Sequence, residues 1–232
     1  MLARFSLYDF IAVIMPGLFF IWALTLTPVG PTLRATVNFS GGLSDTSILI
    51  VIGYVTGLIL HGISGRVTEK FLLFTWGGFP SARWLLPTDR TLSRTYKAEL
   101  AFAVKEKFGA DMPGENRETA ADVLKRNQEI FYRCYRAVEK LSELPQTFVA
   151  QYGLYRSLFT VFAVLIILGG WSYIVDYHWQ LGSKASIALG AWLVGMCVSY
   201  WQVKKRGEDF AKSVYDVFLA NFPAKQANKE AK

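Results

Sequence analysis

Two side chains able to carry charge sit within apolar runs of this 232-residue chain, Asp9 and His61. An ionisable group inside a membrane-length segment is a functional candidate by default, because lipid offers it no water. Asp9 lies in YDFIAVIMPGLFFIWALTLT, Tyr8 to Thr27. A carboxylate there can start a helix at a wet boundary, pair with Arg4, or take part in ion passage. His61 lies in TSILIVIGYVTGLILHGISGRVTEK, Thr46 to Lys70. Histidine ordinarily titrates near neutrality, which suits either a hydrogen-bonded packing residue or a pH-sensitive gate.

The spacing around His61 suggests packing. Gly53, Gly57, His61 and Gly65 recur at every fourth residue and so share one helical face. Small residues at that interval let a second helix approach closely, from the same chain or from another copy. Ala191, Gly195 and Ser199 form a second face of the same kind. Pro16–Gly17 should kink or loosen a helix, since proline lacks a donor and crowds the preceding turn.

Chemistry beyond packing has little support. No HExxH, CxxC, Walker-type loop or Rossmann fingerprint occurs. His61 and His178 are expected on opposite sides of a membrane, and Cys134 and Cys197 form no spaced motif. We therefore expect no catalytic residues, no metal, no cofactor and no enzymatic activity.

The elements that position these residues follow from four long charge-poor runs. Thr46 to Ser64 contains no Asp, Glu, Lys or Arg. Nineteen helical residues span roughly 28 Å, close to one hydrocarbon core. The expected spans are residues 8–27, 46–64, 158–175 and 184–203. Asp9 and Pro16 interrupt the first run and no small-x-small cleavage site follows, so it is expected to stay as a membrane helix rather than leave as a signal peptide.

Charge sets the expected topology. Of 25 Lys and Arg, fifteen fall between Gly65 and Ser157, seven from Lys204 onward, and one is Arg4. This positive-inside pattern places both termini and the middle segment in the cytoplasm. The middle segment balances its fifteen cations with eleven acidic residues, so the net +7 does not call for nucleic acid.

Helix signals fill in the rest. The second span should continue to about Trp76 and stop at Gly77-Gly78, and a helix over 95–108 should end on Gly109. Another, from Thr119 to about Leu144, carries the apolar face Val123, Ile130, Phe131, Cys134, Val138 and Leu141. Pro145 suits the first turn of the next helix, and Arg156 marks where that helix meets the membrane. Phe210, Val214, Val217 and Phe218 imply an amphipathic continuation of the last span.

The fold class is thus all-α: four transmembrane helices, a helical cytoplasmic domain between spans two and three, and a C-terminal cytoplasmic helix. Its divisions are a membrane hairpin at 1–64, the cytoplasmic domain at 65–157, a second hairpin at 158–203 and the helix and tail at 204–232.

The opening FSLYDFIAVIMPG resembles the Tyr-Asp, six residues, Pro-Gly start of many small bacterial multi-span proteins. GYVTGLILHGISGRVTEK and QYGLYRSLFTVF extend the likeness. Such proteins resemble membrane components of anti-phage systems, some of which breach the inner membrane. The chain departs from the pattern at Leu58, where the histidine usual after the second-span glycine is absent and His61 follows instead. The resemblance implies a multi-pass inner-membrane effector that self-associates and impairs membrane integrity on a cytoplasmic signal. The alternative is a membrane sensor or scaffold that recruits a cytoplasmic partner without forming a pore. The expected partners are the bilayer, further copies of the chain, and a cytoplasmic protein or small molecule.

Overall fold

A computed structural model describes residues 10–27, 43–112, 120–175 and 183–223 of the chain. Among them every regular element is helical. In chain order these are a π segment Phe10–Ile14 leading into α1 (Met15–Leu24), α2 (Leu43–Ile63), a second π segment Ser64–Thr68, α3 (Glu69–Trp76) and α4 (Pro80–Arg83). They are followed by α5 (Arg94–Phe108), α6 (Ala120–Val138), α7 (Leu144–Val175) and α8 (Ser183–Asn221).

Three of the helices, those running on from Thr46, Leu144 and Ser186, are long and apolar enough to cross a membrane. The expected first span is shorter, covering Phe10–Leu24 among the described residues, or about 22 Å. Tyr8 and Asp9 lie outside the described residues.

The chain divides into two compact units, Met1–Leu72 with Ala150–Lys204, and Leu73–Val149 with Lys205–Lys232. The sequence placed 65–72 and 150–157 with the middle domain; they belong to the first unit, because their side chains pack there.

In the first unit α1 lies directly on α2. A Cβ on Gly17 would stand 2.7 Å from the Gly57 nitrogen, and one on Gly53 would stand 2.5 Å from the Leu18 Cδ2. Gly57 lies against the carbonyl of Val13. Small residues on both helices let the backbones touch, the arrangement expected where lipid supplies no hydrophobic drive between helices. Pro16 has no N–H to give the Ala12 carbonyl four residues back, and the wider π segment precedes it.

Helices α7 and α8 run antiparallel. Gly195 faces the Phe162 ring, Phe159 meets Tyr200 at 6.3 Å, and Gly169 faces Leu189 and Trp192. Ala23, Leu60, Val161, Leu165 and Trp192 form the core of this unit. Its outer surface is apolar: Val51, Ile59, Trp171, Ile187 and Val194 are all more than half exposed. Such a surface suits lipid rather than water.

The second unit is built like a soluble domain. Gly77 and Gly78 take positive φ of 70° and 112° and end α3, conformations that cost glycine little. Ser93 caps α5 by accepting from the Tyr96 N–H, and Gly109 closes it in the left-handed region. Leu100 and Val104 of α5, Ile130, Phe131, Cys134 and Val138 of α6, and Val214, Tyr215 and Phe218 of α8 share one core. Leu141, expected on the α6 face, lies past the helix end and is half exposed. The short α4 is held by side chains: Asn127 Nδ2 donates to the Ala82 carbonyl at 2.9 Å, and Tyr215 donates to the Ser81 carbonyl at 2.9 Å.

Candidate functional site

The first unit buries a charged cluster where the second π segment meets α7. The N–H of Glu69 donates to the carbonyl of Ser64, five residues back. Residues five apart in a regular α-helix point roughly 140° away from each other. The i→i+5 bond brings them nearly into line, so that both reach one guanidinium. Arg156 on α7 pairs with Glu69 through Nη1 and donates from Nε to Ser64 Oγ at 3.2 Å.

The cluster continues into α2 and α1. Arg156 Nη2 lies 3.4 Å from His61 Nε2, and His61 Nδ1 lies 3.3 Å from Ser157 Oγ. Ser157 in turn donates to the Ala12 carbonyl at 3.3 Å, the acceptor that Pro16 cannot serve. The directions are mutually consistent. A guanidinium only donates, so Nε2 accepts; Ser157 has given its proton to Ala12, so it accepts from Nδ1–H. One helical turn on, Thr68 and Thr160 hydroxyls meet at 2.7 Å, and Thr160 also donates to the Arg156 carbonyl. The face of Tyr152 lies under Arg156, 5.5 Å from its ring centre.

Burial gives these contacts their weight. The Arg156 side chain is 11% exposed and that of Glu69 22%. A buried ion pair gains little over an apolar pair, but removing one partner strands the other charge at a cost of about 3–5 kcal/mol. The cluster is therefore a conditional fastening: stable while complete, and costly once one member leaves.

A serine beside a histidine invites comparison with a nucleophile and its base. In that arrangement a carboxylate accepts from the far imidazole nitrogen and stabilises the cation formed in catalysis. Here the far nitrogen faces the Arg156 guanidinium and not a carboxylate. Among the described residues no group of three or more His, Cys, Asp or Glu is placed to hold a metal ion.

The residues singled out from sequence are distributed as follows. Gly53 and Gly57 are buried against α1 of the same chain, and Gly17 completes that contact. Pro16 is buried in the first turn of α1. His61 joins the charged cluster, and Gly65 lies 3.7 Å from the Arg156 guanidinium at the place of a Cβ. On α8, Gly195 receives Phe162 and Ser199 is buried, whereas Ala191 is exposed. Asp9 lies outside the described residues.

Ser64, Glu69, Arg156, Ser157 and Thr160 escaped the sequence reading. Arg156 reads locally as a boundary marker, and the polar spacing of Arg156, Ser157 and Thr160 on an otherwise apolar helix is the signal the sequence carries. The matching set on the other helix depends on the π turn, which α-helical periodicity hides.

In the second unit, burial pushes the Cys134 thiol up to about 12. Both described cysteines are free. Tyr96 donates to Asp216 at 2.7 Å, and desolvation with that bond raises its hydroxyl above the usual phenol range.

Comparison with family models, curated proteins and solved structures returns no match.

Proposed function

We propose that the chain is a multi-pass protein of a bacterial inner membrane whose first unit perturbs membrane integrity when its second unit receives a cytoplasmic signal. Four spans place both termini and the second unit inside, following the distribution of Lys and Arg. The short Phe10–Leu24 helix serves as the first span. Further copies of the chain assemble in the bilayer through surfaces other than the Gly53–Gly57 face, which α1 occupies.

The observation that carries this reading is the Arg156 cluster. Charged groups buried between helices are costly once a partner leaves, so such a cluster holds one helix packing against another. This one fastens α7 to α2, to the π segment after it and to the π segment before α1. α7 and α8 each contribute residues to both units. A ligand that binds the second unit moves the balance between two helix packings by as much as its affinities for them differ. The test is expression in bacteria carrying a potential-sensitive dye, with and without phage challenge. Depolarisation on challenge supports the effector reading.

A second reading has its own observation. Tyr132, Arg133 and Arg136 stand exposed along one side of α6, a surface suited to docking a cytoplasmic protein. A protective chain that never alters the potential, but co-purifies with a soluble partner, favours a sensor or scaffold.

A further inference from the structure

The helix that supplies Ser64 and Glu69 to the cluster has an outer face of opposite character. Its inward side is fully engaged: Glu69 pairs with Arg156, Thr68 bonds Thr160, and Leu72 is buried. Outward lie Val67, 64% exposed, and Phe71, 52% exposed. Arg66 and Lys70 are exposed beside them, four residues apart. Neither forms an ion pair among the described residues, and the one nearby carboxylate, Glu69, is already taken by Arg156.

This face continues a longer one. Ile48, Ile52, Val55, Ile59 and Ile63 are exposed at intervals of three and four along α2, and Val67 and Phe71 extend the same series. The charge-free part, Thr46 to Ser64, already fills roughly 28 Å of hydrocarbon. The next two turns therefore fall at headgroup depth, where an apolar stripe flanked by cations is the expected pattern. Arg and Lys bury their aliphatic stems and present their charge to phosphate.

We propose that Arg66 and Lys70, with Val67 and Phe71 between them, form a binding site for the headgroup of an anionic phospholipid. The site rests on the membrane reading above. It commits to lipid rather than a soluble phosphate because the two apolar side chains need acyl chain to cover them. The lipid would press on the same helix whose inner face holds Arg156, so leaflet composition bears on the fastening.

The test uses the full chain. Flotation with phosphatidylcholine vesicles first reports insertion. Native mass spectrometry from detergent then compares retention of phosphatidylglycerol and phosphatidylcholine by the wild-type chain, by Arg66→Gln/Lys70→Gln, and by the control Lys204→Gln/Lys205→Gln. The wild type and the control should prefer phosphatidylglycerol. The Arg66→Gln/Lys70→Gln chain should lose roughly ten- to thirty-fold of that preference while keeping phosphatidylcholine. Soluble glycerol phosphate should not displace the lipid. Equal preference in all three chains, no preference in the wild type, or displacement by glycerol phosphate overturns the site and leaves the membrane reading standing. A chain that fails to float with vesicles overturns both.

Discussion

Glu69 and Arg156 form an ion pair that exists because the helix between Ser64 and Thr68 is wound one residue wide. In a regular helix the same sequence would turn either Ser64 or Glu69 away from α7. A π turn forfeits hydrogen-bond quality, and such turns persist where surrounding contacts hold them. The guanidinium provides that hold, and the turn in turn shapes the guanidinium's site.

Removing one charge should therefore cost more than removing both. Arg156→Met strands Glu69 and should destabilise the first unit by about 3–5 kcal/mol. Arg156→Met/Glu69→Leu should recover much of that loss. Thermal unfolding in detergent, arranged as a double-mutant cycle, reads the coupling. Additive single effects would show that the pair is not coupled.

The glycines of the first unit should divide sharply on substitution. Gly17→Ala and Gly57→Ala insert a methyl group against backbone and should cost about 1–3 kcal/mol by forcing α1 from α2. Gly62→Ala meets nothing within 4 Å and should be neutral or stabilising by up to about 1 kcal/mol, as alanine favours a helix. Equal losses at Gly57 and Gly62 would contradict the close contact. Gly57→Leu is for the same reason a probe of folding within the chain before it is a probe of assembly.

Much of this organisation was legible in the residues. The Gly77-Gly78 stop, the Gly109 cap and the α6 face followed from local rules, because glycine's tolerance of positive φ and helical periodicity act over a few residues. The glycine face of α2 was legible as a packing surface. Its partner was not: Pro16–Gly17 reads locally as a kink, whereas Gly17 provides the other half of a backbone contact. Arg156 was the largest omission. Its role depends on partners 87 to 95 residues away and on a π turn, neither of which a local pattern encodes. The shared core of α5, α6 and the end of α8 is long-range in the same sense: the sequence showed an apolar stripe on the last helix but not what it would bury against.

Cys134 should be inert while the second unit is folded. With the thiol pushed up to about 12, almost no thiolate forms at pH 8, and the thiolate is the reactive form. In a Cys197→Ser chain, N-ethylmaleimide should leave Cys134 unmodified until denaturant is added. Prompt modification of the folded protein would contradict its place in the core.

Topology has an independent check. Cysteines introduced at Ser44 and Ser183 in a cysteine-free chain should react with an impermeant maleimide in intact cells, and one at Ser142 should react only after lysis. Labelling of only one of Ser44 and Ser183 would mean that α2 or α7 does not cross, since two crossings return the chain to the same side.

We propose that the Arg156 cluster restrains an activity that compromises the membrane. Glu69→Gln removes the charge while keeping size and a hydrogen-bond acceptor, so it loosens the fastening with least damage to the fold. The decisive measurement is the membrane potential of bacteria expressing wild-type or Glu69→Gln chains, matched for membrane insertion and for helix content after purification. The wild-type chain should leave the potential intact without a stimulus, and Glu69→Gln should depolarise the cells. An inserted, folded Glu69→Gln chain that leaves the potential unchanged, both alone and on phage challenge, would contradict the account.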